Sequence, residues 1–217
     1  MTPFPLILSS PSGGGKTTIA RLLLERRTDV GYSISCTTRP PRGGEADGQD
    51  YHFIGRDAFL DRRAAGDFAE SAEVFGNLYG TLRSEVQRVF QTGRNVVMDI
   101  DVQGARQFIA AFPESVLVFL LPPSADVLLN RLTARNTESP EVVQRRLTAA
   151  RDELRAVRGY HYAVVNDDLE RAYRQVSAIV DAETVRHLRL PRLDERVQGL
   201  IAELDRHITS STTVSQS

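Results

Sequence analysis

LILSSPSGGGKTTIARLLLE, residues 6–25, passes from a short apolar run through a Ser/Gly-rich turn into an amphipathic stretch, and that order decides the fold. A Gly-x-x-x-x-Gly-Lys-Ser/Thr loop between a strand and a helix turns successive backbone N–H groups inward. The positive helix end points at the same spot, so the loop cradles phosphate. Ser10 stands where that pattern starts with Gly, while Gly13, Gly14 and Gly15 leave the backbone free to close around an anion. Lys16 is the only lysine among 27 basic residues. A compact ammonium on a flexible stem fits inside such a loop, whereas a planar guanidinium fork does not. Ser12, Gly13, Gly14, Gly15, Lys16, Thr17 and Thr18 are therefore expected to bind the phosphates of a donor nucleotide. Lys16 would bridge the β- and γ-phosphates, and the Thr17 hydroxyl would ligate Mg2+.

Outward from the loop, the runs FPLIL, NVVMDID, SVLVFLL and YAVV alternate with the helical patterns TTIARLLLERR, GARQFIAAF, ADVLLNRL and LERAYRQVSAIVDAE. Continuous apolar runs mark strands buried on both faces, so the expected fold is α/β, a parallel sheet flanked by helices. The core is expected over 3–33, 93–130 and 159–207. Residues 34–92 are richer in Gly, Thr, Tyr and Phe, with turn signals at RPPRGGEADG and FGNLYG, and are expected to form an inserted lobe. The polar ITSSTTVSQS, 208–217, reads as a disordered tail.

Basic and acidic residues nearly cancel, 27 against 28, so no overall field draws the chain onto nucleic acid or an anionic membrane, and neither is expected as a partner. Anion binding must be local. Cys36 is the only cysteine, which excludes an internal disulfide and a multi-cysteine metal site and points to a reducing cytoplasm. The apolar stretch at 115–123 is too short to span a bilayer.

A phosphate loop identifies a donor, and the acceptor must be read elsewhere. SISCTTRPPRGGEADGQDYHF, 33–53, sets Arg39 and Arg42 in a turn with Tyr51 close behind, a combination suited to a second anion. FAESAEVFGNLYGT, 68–81, adds Glu70, Tyr79 and Thr81. In VVMDIDVQG, 96–104, Asp99 and Asp101 alternate with apolar residues, so period two puts both carboxylates on one face at a strand end, where parallel sheets hold ligands. Asp99 is expected as the outer-sphere Mg2+ partner and Asp101 as an acceptor-site residue, with the exchange of these roles as one alternative and a helix N-cap for Asp101 as another.

SCTTRPPR, GQDYHF, FGNLYG, DIDVQG and VNDDL, in that order, resemble the guanylate kinase family over about 3–186. The resemblance implies that ATP phosphorylates GMP with Mg2+, that Ser35, Glu70, Thr81 and Asp101 surround the guanine, and that Arg39, Arg42, Tyr51 and Tyr79 hold its phosphate. It also implies a mobile lid over 131–158, with Arg135 and Arg146 on the transferred phosphoryl, Arg131 on the donor, and Asn166 near the donor adenine. Asn136 takes a place where the family usually has Gly. Chemistry argues the same way for Glu70. Guanine presents two adjacent donors, and an ionised carboxylate is the acceptor-only group that takes both. A phosphate acceptor is already anionic at neutral pH, so no side chain needs to remove a proton, and the four histidines are left unassigned. Two alternatives are a binding module of the same fold without catalysis, disfavoured by the intact loop, and a kinase for another nucleotide, disfavoured by Ser35 and Glu70.

Overall fold

The opening run folds as read: β1 (Pro5–Ser9), buried along its whole length, feeds the Gly-rich turn and then α1 (Lys16–Arg26). β2 (Val30–Tyr32) precedes a series of short elements: β3 (Cys36–Thr37), β4 (His52–Phe53), α2 (Arg56–Ala64), β5 (Phe68–Val74), β6 (Asn77–Leu82) and α3 (Arg83–Phe90). They are followed by β7 (Asn95–Asp99), α4 (Val102–Ala111), β8 (Val116–Leu121), α5 (Ala125–Thr133), α6 (Pro140–Arg155), β9 (Tyr162–Val165), α7 (Leu169–Thr184) and α8 (Leu193–Val214). The structure is a computed structural model and describes residues 2–74, 76–133 and 140–214; Arg135 and Asn136 lie outside them.

Five strands form one sheet in the order β2-β7-β1-β8-β9, with every pair parallel. Leu6 and Leu8 face one core, with Ile19 and Leu23 of α1 and Val176 of α7. Ile7 faces the other, with Val86 of α3 and Phe108 of α4. One strand serving two cores explains its unbroken apolar sequence, and each such side chain contributes about 2 kcal/mol on burial. Because β7 inserts between β1 and β2, Leu8 lies opposite Asp99. The loop leaving β1 and the carboxylate ending β7 therefore share the carboxyl edge of the sheet.

A second sheet, ordered β4-β3-β6-β5, lies within the stretch expected as an inserted lobe. It has its own core of Cys36, Phe59, Phe68, Leu78 and Leu82, in which Phe59 stacks on Phe68 at 4.4 Å. Burial there pushes the Cys36 thiol up to about 11. The β5–β6 pairing skips a residue: Phe68 lies opposite Leu82, yet Glu70 lies opposite Thr81. Such a bulge re-aims the side chains beyond it.

One expectation about the strand end is corrected. β7 stops at Asp99, so Asp99 and Asp101 are not two same-face positions of one strand. The Ser9 hydroxyl donates to the Ile100 carbonyl at 2.8 Å, and Asp101 becomes the N-cap of α4, accepting from the Gly104 N–H at 2.7 Å. The cap takes the backbone out of the sheet before the period-two pattern ends.

The chain divides into two compact units. Residues 3–180 hold both sheets, and residues 1–2 with 181–217 form the second. The stretch expected as the last core piece, 159–207, thus belongs to both units. In the second unit the Thr2 N–H donates to the Arg189 carbonyl at 3.0 Å, and Arg189 pairs with Glu183 at 3.3 Å away from water. α8 continues to Val214, through part of the segment expected as a disordered tail. That segment contains no Gly or Pro to stop a helix.

Candidate active site

Two glycines of the phosphate loop have left-handed backbones, Gly13 at φ 80° and Gly15 at φ 91°, which a Cβ would strain. At Gly14 a Cβ would lie 2.6 Å from the Ser10 side chain. The glycine is therefore what makes room for Ser10, the position that departs from the usual pattern. Asn166, at the end of β9 and buried, donates its amide to the Gly14 carbonyl at 2.9 Å. The residue expected beside a donor base thus supports the loop from beneath.

Lys16 opens α1, and Thr17 and Thr18 are exposed on its first turn. The Thr17 hydroxyl donates to Asp99 Oδ2 at 2.5 Å, and the Tyr32 hydroxyl donates to Asp99 Oδ1 at 3.1 Å. Both oxygens of Asp99 are thereby oriented, one of them by a residue that sequence reasoning missed. Burial and the Asp99 charge raise the Tyr32 phenol far above its usual range, so it acts as a donor at all ordinary pH.

Two helices reach the loop from the segment expected as a lid. Arg131 on α5 donates to the Asn166 carbonyl at 3.3 Å. Arg146 on α6 donates to the Leu132 carbonyl at 3.2 Å and to Ser12 Oγ at 3.0 Å. Two helical turns on, the Glu153 carboxylate accepts from the Ser12 N–H, and its Oε2 is buried with no partner among the described residues. Burial raises the Glu153 pKa, and the Lys16 charge opposes that rise. Glu153 was also missed. Arg135, expected as a catalytic residue of the lid, falls outside the described residues.

Across the cleft Arg39 is only 8% exposed and is held in a fork. Its Nη1 and Nη2 donate to Glu45 at 2.7 and 2.8 Å, and its plane lies over the Tyr51 ring at 5.2 Å. Arg39 pulls the Glu45 carboxyl down to about 2. Tyr51 and Tyr79 meet edge-on at 6.1 Å. Arg42 extends into solvent, with its backbone N–H donating to Glu45 Oε2 at 2.8 Å. The expected second-anion group is assembled, and Glu45, absent from that expectation, lies at its centre.

Beside it is a cavity of about 200 Å³ lined by Ser35, Tyr51, Glu70, Tyr79, Asp99 and Asp101, among others. Thr81 donates its hydroxyl to Glu70 Oε1 at 2.7 Å and lies 3.3 Å from the Ser35 hydroxyl. A threonine has one hydroxyl hydrogen, so Ser35 must be the donor of the second bond, and the chain runs Ser35 to Thr81 to Glu70. Glu70 is 7% exposed, and burial, reinforced by the Asp101 charge and opposed by Thr81, raises its pKa to about 7. A Cβ at Gly104 would lie 3.0 Å from Glu70 Oε2, so α4 can approach this carboxylate only with glycine there. Asp101 combines its capping bond with a place in the cavity wall.

The guanylate kinase family model matches residues 2–183. The chain is 49% identical to a guanylate kinase of Chelativorans sp., over 91% of this chain and 91% of that protein. It is 47% identical to one of Symbiobacterium thermophilum, over 85% and 87%. A crystal structure of guanylate kinase from Anaplasma phagocytophilum superposes with a TM-score of 0.74 at 34% identity, covering 91% of this chain and 95% of that one. A phosphate loop at the edge of a parallel sheet, facing a cavity closed by a buried carboxylate, thus occurs in a chain that belongs to the guanylate kinase family.

Proposed function

We propose that the chain transfers the γ-phosphoryl group of ATP to the phosphate of GMP, yielding ADP and GDP. The observation that carries this reading is the oriented chain Ser35–Thr81–Glu70, which ends on a buried carboxylate across the cleft from the phosphate loop. Its ionised form accepts from both N1–H and the exocyclic amino group of guanine, an edge that adenine and the pyrimidines do not present. Arg39, Arg42, Tyr51 and Tyr79 hold the acceptor phosphate, and Asp101 closes the base site. On the donor side the loop N–H groups and Lys16 hold the triphosphate, and Arg131 lies along it. Arg146, with Arg135, neutralises charge on the transferred group. Residues 34–92 then act as the acceptor lobe and 131–158 as the lid, around a core that carries the loop.

The Thr17 hydroxyl and Asp99 carboxylate, in mutual contact, are an all-oxygen pair of the kind that suits Mg2+. Bound there, Mg2+ would neutralise triphosphate charge. Tyr32 keeps Asp99 turned toward Thr17. A cytoplasmic location is proposed from the single cysteine. No helix among the described residues is long and apolar enough to cross a membrane.

ADP formation measured with GMP, AMP, UMP and CMP tests the reaction. GMP is expected to exceed the others in kcat/KM by at least about 10²-fold, and comparable rates with AMP would refute the role of Glu70. A second expectation concerns pH. Because only ionised Glu70 takes guanine's donors, binding below about pH 7 must expel its proton. Affinity should therefore fall about tenfold from pH 8 to pH 6. Guanosine, which has no phosphate to titrate, should show that slope in calorimetry, and a flat profile would sink the assignment.

A further inference from the structure

Glu45 belongs to none of the groups assigned so far, yet it makes three of the shortest polar contacts in the acceptor lobe. Its two oxygens take the Nη1 and Nη2 ends of the Arg39 guanidinium at 2.7 and 2.8 Å. Oε2 also accepts the Arg42 backbone N–H at 2.8 Å, and the Glu45 N–H donates to the Arg42 carbonyl at 3.0 Å. One carboxylate thus ties the side chain of the first arginine to the backbone of the second.

The guanidinium has five N–H groups in a rigid plane. Nη1 is committed to Glu45 and to the Pro40 carbonyl at 2.8 Å, and one hydrogen of Nη2 is committed to Glu45. The remaining edge, Nε with the other Nη2 hydrogen, is a second parallel pair of donors, the geometry that receives a phosphate. The plane itself is fixed by the Tyr51 and Phe53 rings at 5.2 and 5.7 Å, and the Tyr79 hydroxyl is hydrogen-bonded to the guanidinium, so it stands beside the donors that would meet a phosphate. A carboxylate that occupied the phosphate's own place would have to leave on binding. A carboxylate on the adjoining edge stays and pre-orients the fork.

We propose that Glu45 is the positioning residue of the acceptor-phosphate clamp, holding Arg39 by its outer edge and Arg42 by its backbone so that both meet the monophosphate without reorganising. This rests on the reading of Arg39 and Arg42 as ligands of the GMP phosphate. Orienting long cationic side chains beforehand removes an ordering cost from binding. The benefit falls on the phosphate alone, since Glu45 does not line the cavity that holds the base.

Calorimetric titration of GMP and of guanosine into wild type, Glu45→Gln, Glu45→Asp and Arg39→Met tests this. Glu45→Gln is expected to weaken GMP about tenfold. Guanosine affinity and the KM for ATP should stay within twofold, and Glu45→Asp should recover part of the loss. Unchanged or tighter GMP binding by Glu45→Gln would overturn the proposal, as would an equal loss for guanosine, which would mean a damaged lobe. Arg39→Met separates the two layers. If it weakens GMP while Glu45→Gln does not, the positioning role alone fails. If neither variant affects GMP, the phosphate-clamp reading fails and takes the proposal with it.

Discussion

Lys16→Arg is expected to lower kcat roughly 10²- to 10³-fold, the cost of removing one preorganised charge from a phosphoryl-transfer site. GMP affinity and the melting temperature should be nearly unchanged. Lys16 follows directly on Gly15, whose φ of 91° and lack of room for a Cβ beside Asn166 leave the loop no slack. A guanidinium is larger and planar, and it would point its donors past the β- and γ-phosphates instead of between them. The chain otherwise uses arginine for every basic position, so the substitution brings the loop into line with the rest of the composition. Coupled turnover, GMP calorimetry and thermal melting on one preparation would decide the matter. Activity near that of the parent would remove Lys16 from the chemistry.

Glu70→Gln should lower kcat/KM for GMP by about 2 to 4 kcal/mol, because an amide donor replaces an acceptor opposite guanine's own donors. The KM for ATP should move far less. Stability should move the other way. The folded protein raises the Glu70 pKa from the ordinary 4.5 to about 7, so it holds that proton more tightly than the unfolded chain does. Its contribution to stability is fully present below pH 4.5 and is lost as pH rises through 7. A neutral glutamine escapes that loss, so at pH 8 the variant should be more stable by up to about 3 kcal/mol, and by nothing below pH 4.5. Denaturant titrations at pH 4.5 and 8 measure the difference. A variant that loses both activity and stability at pH 8 would mark Glu70 as structural.

What was legible in the sequence was local. The phosphate loop is set by eight consecutive residues, and β1, β7 and β8 announce themselves as unbroken apolar runs because each is buried on both faces. Glu70, Thr81 and Ser35 were reached through the family resemblance, whose motifs preserve long-range contacts in short strings. Contacts without such a string were not legible. Tyr32 meets Asp99 from 67 residues away, and Glu153 meets Ser12 only because α6 folds back over the loop. Glu45 is close in sequence to Arg39, but its role depends on a turn that closes both oxygens onto one guanidinium. Asp101 shows the opposite fault, since a strand periodicity was carried two residues beyond the strand, into a helix cap.

The Ser35–Thr81–Glu70 chain also gives the proposed base site a polarity that a single proton would reverse. Thr81 engages one lone pair of Oε1, so in the expected protonated form Glu70 carries its hydrogen on Oε2. The carboxylate that asked for two donors then offers one. In that form it suits a base with a bare ring nitrogen at the same edge, as adenine has, and repels the N1–H of guanine. If Glu70 reads the base as proposed, acid should therefore do more than weaken GMP: it should narrow the gap between the two purines, with the choice between them resting on one proton of one glutamate.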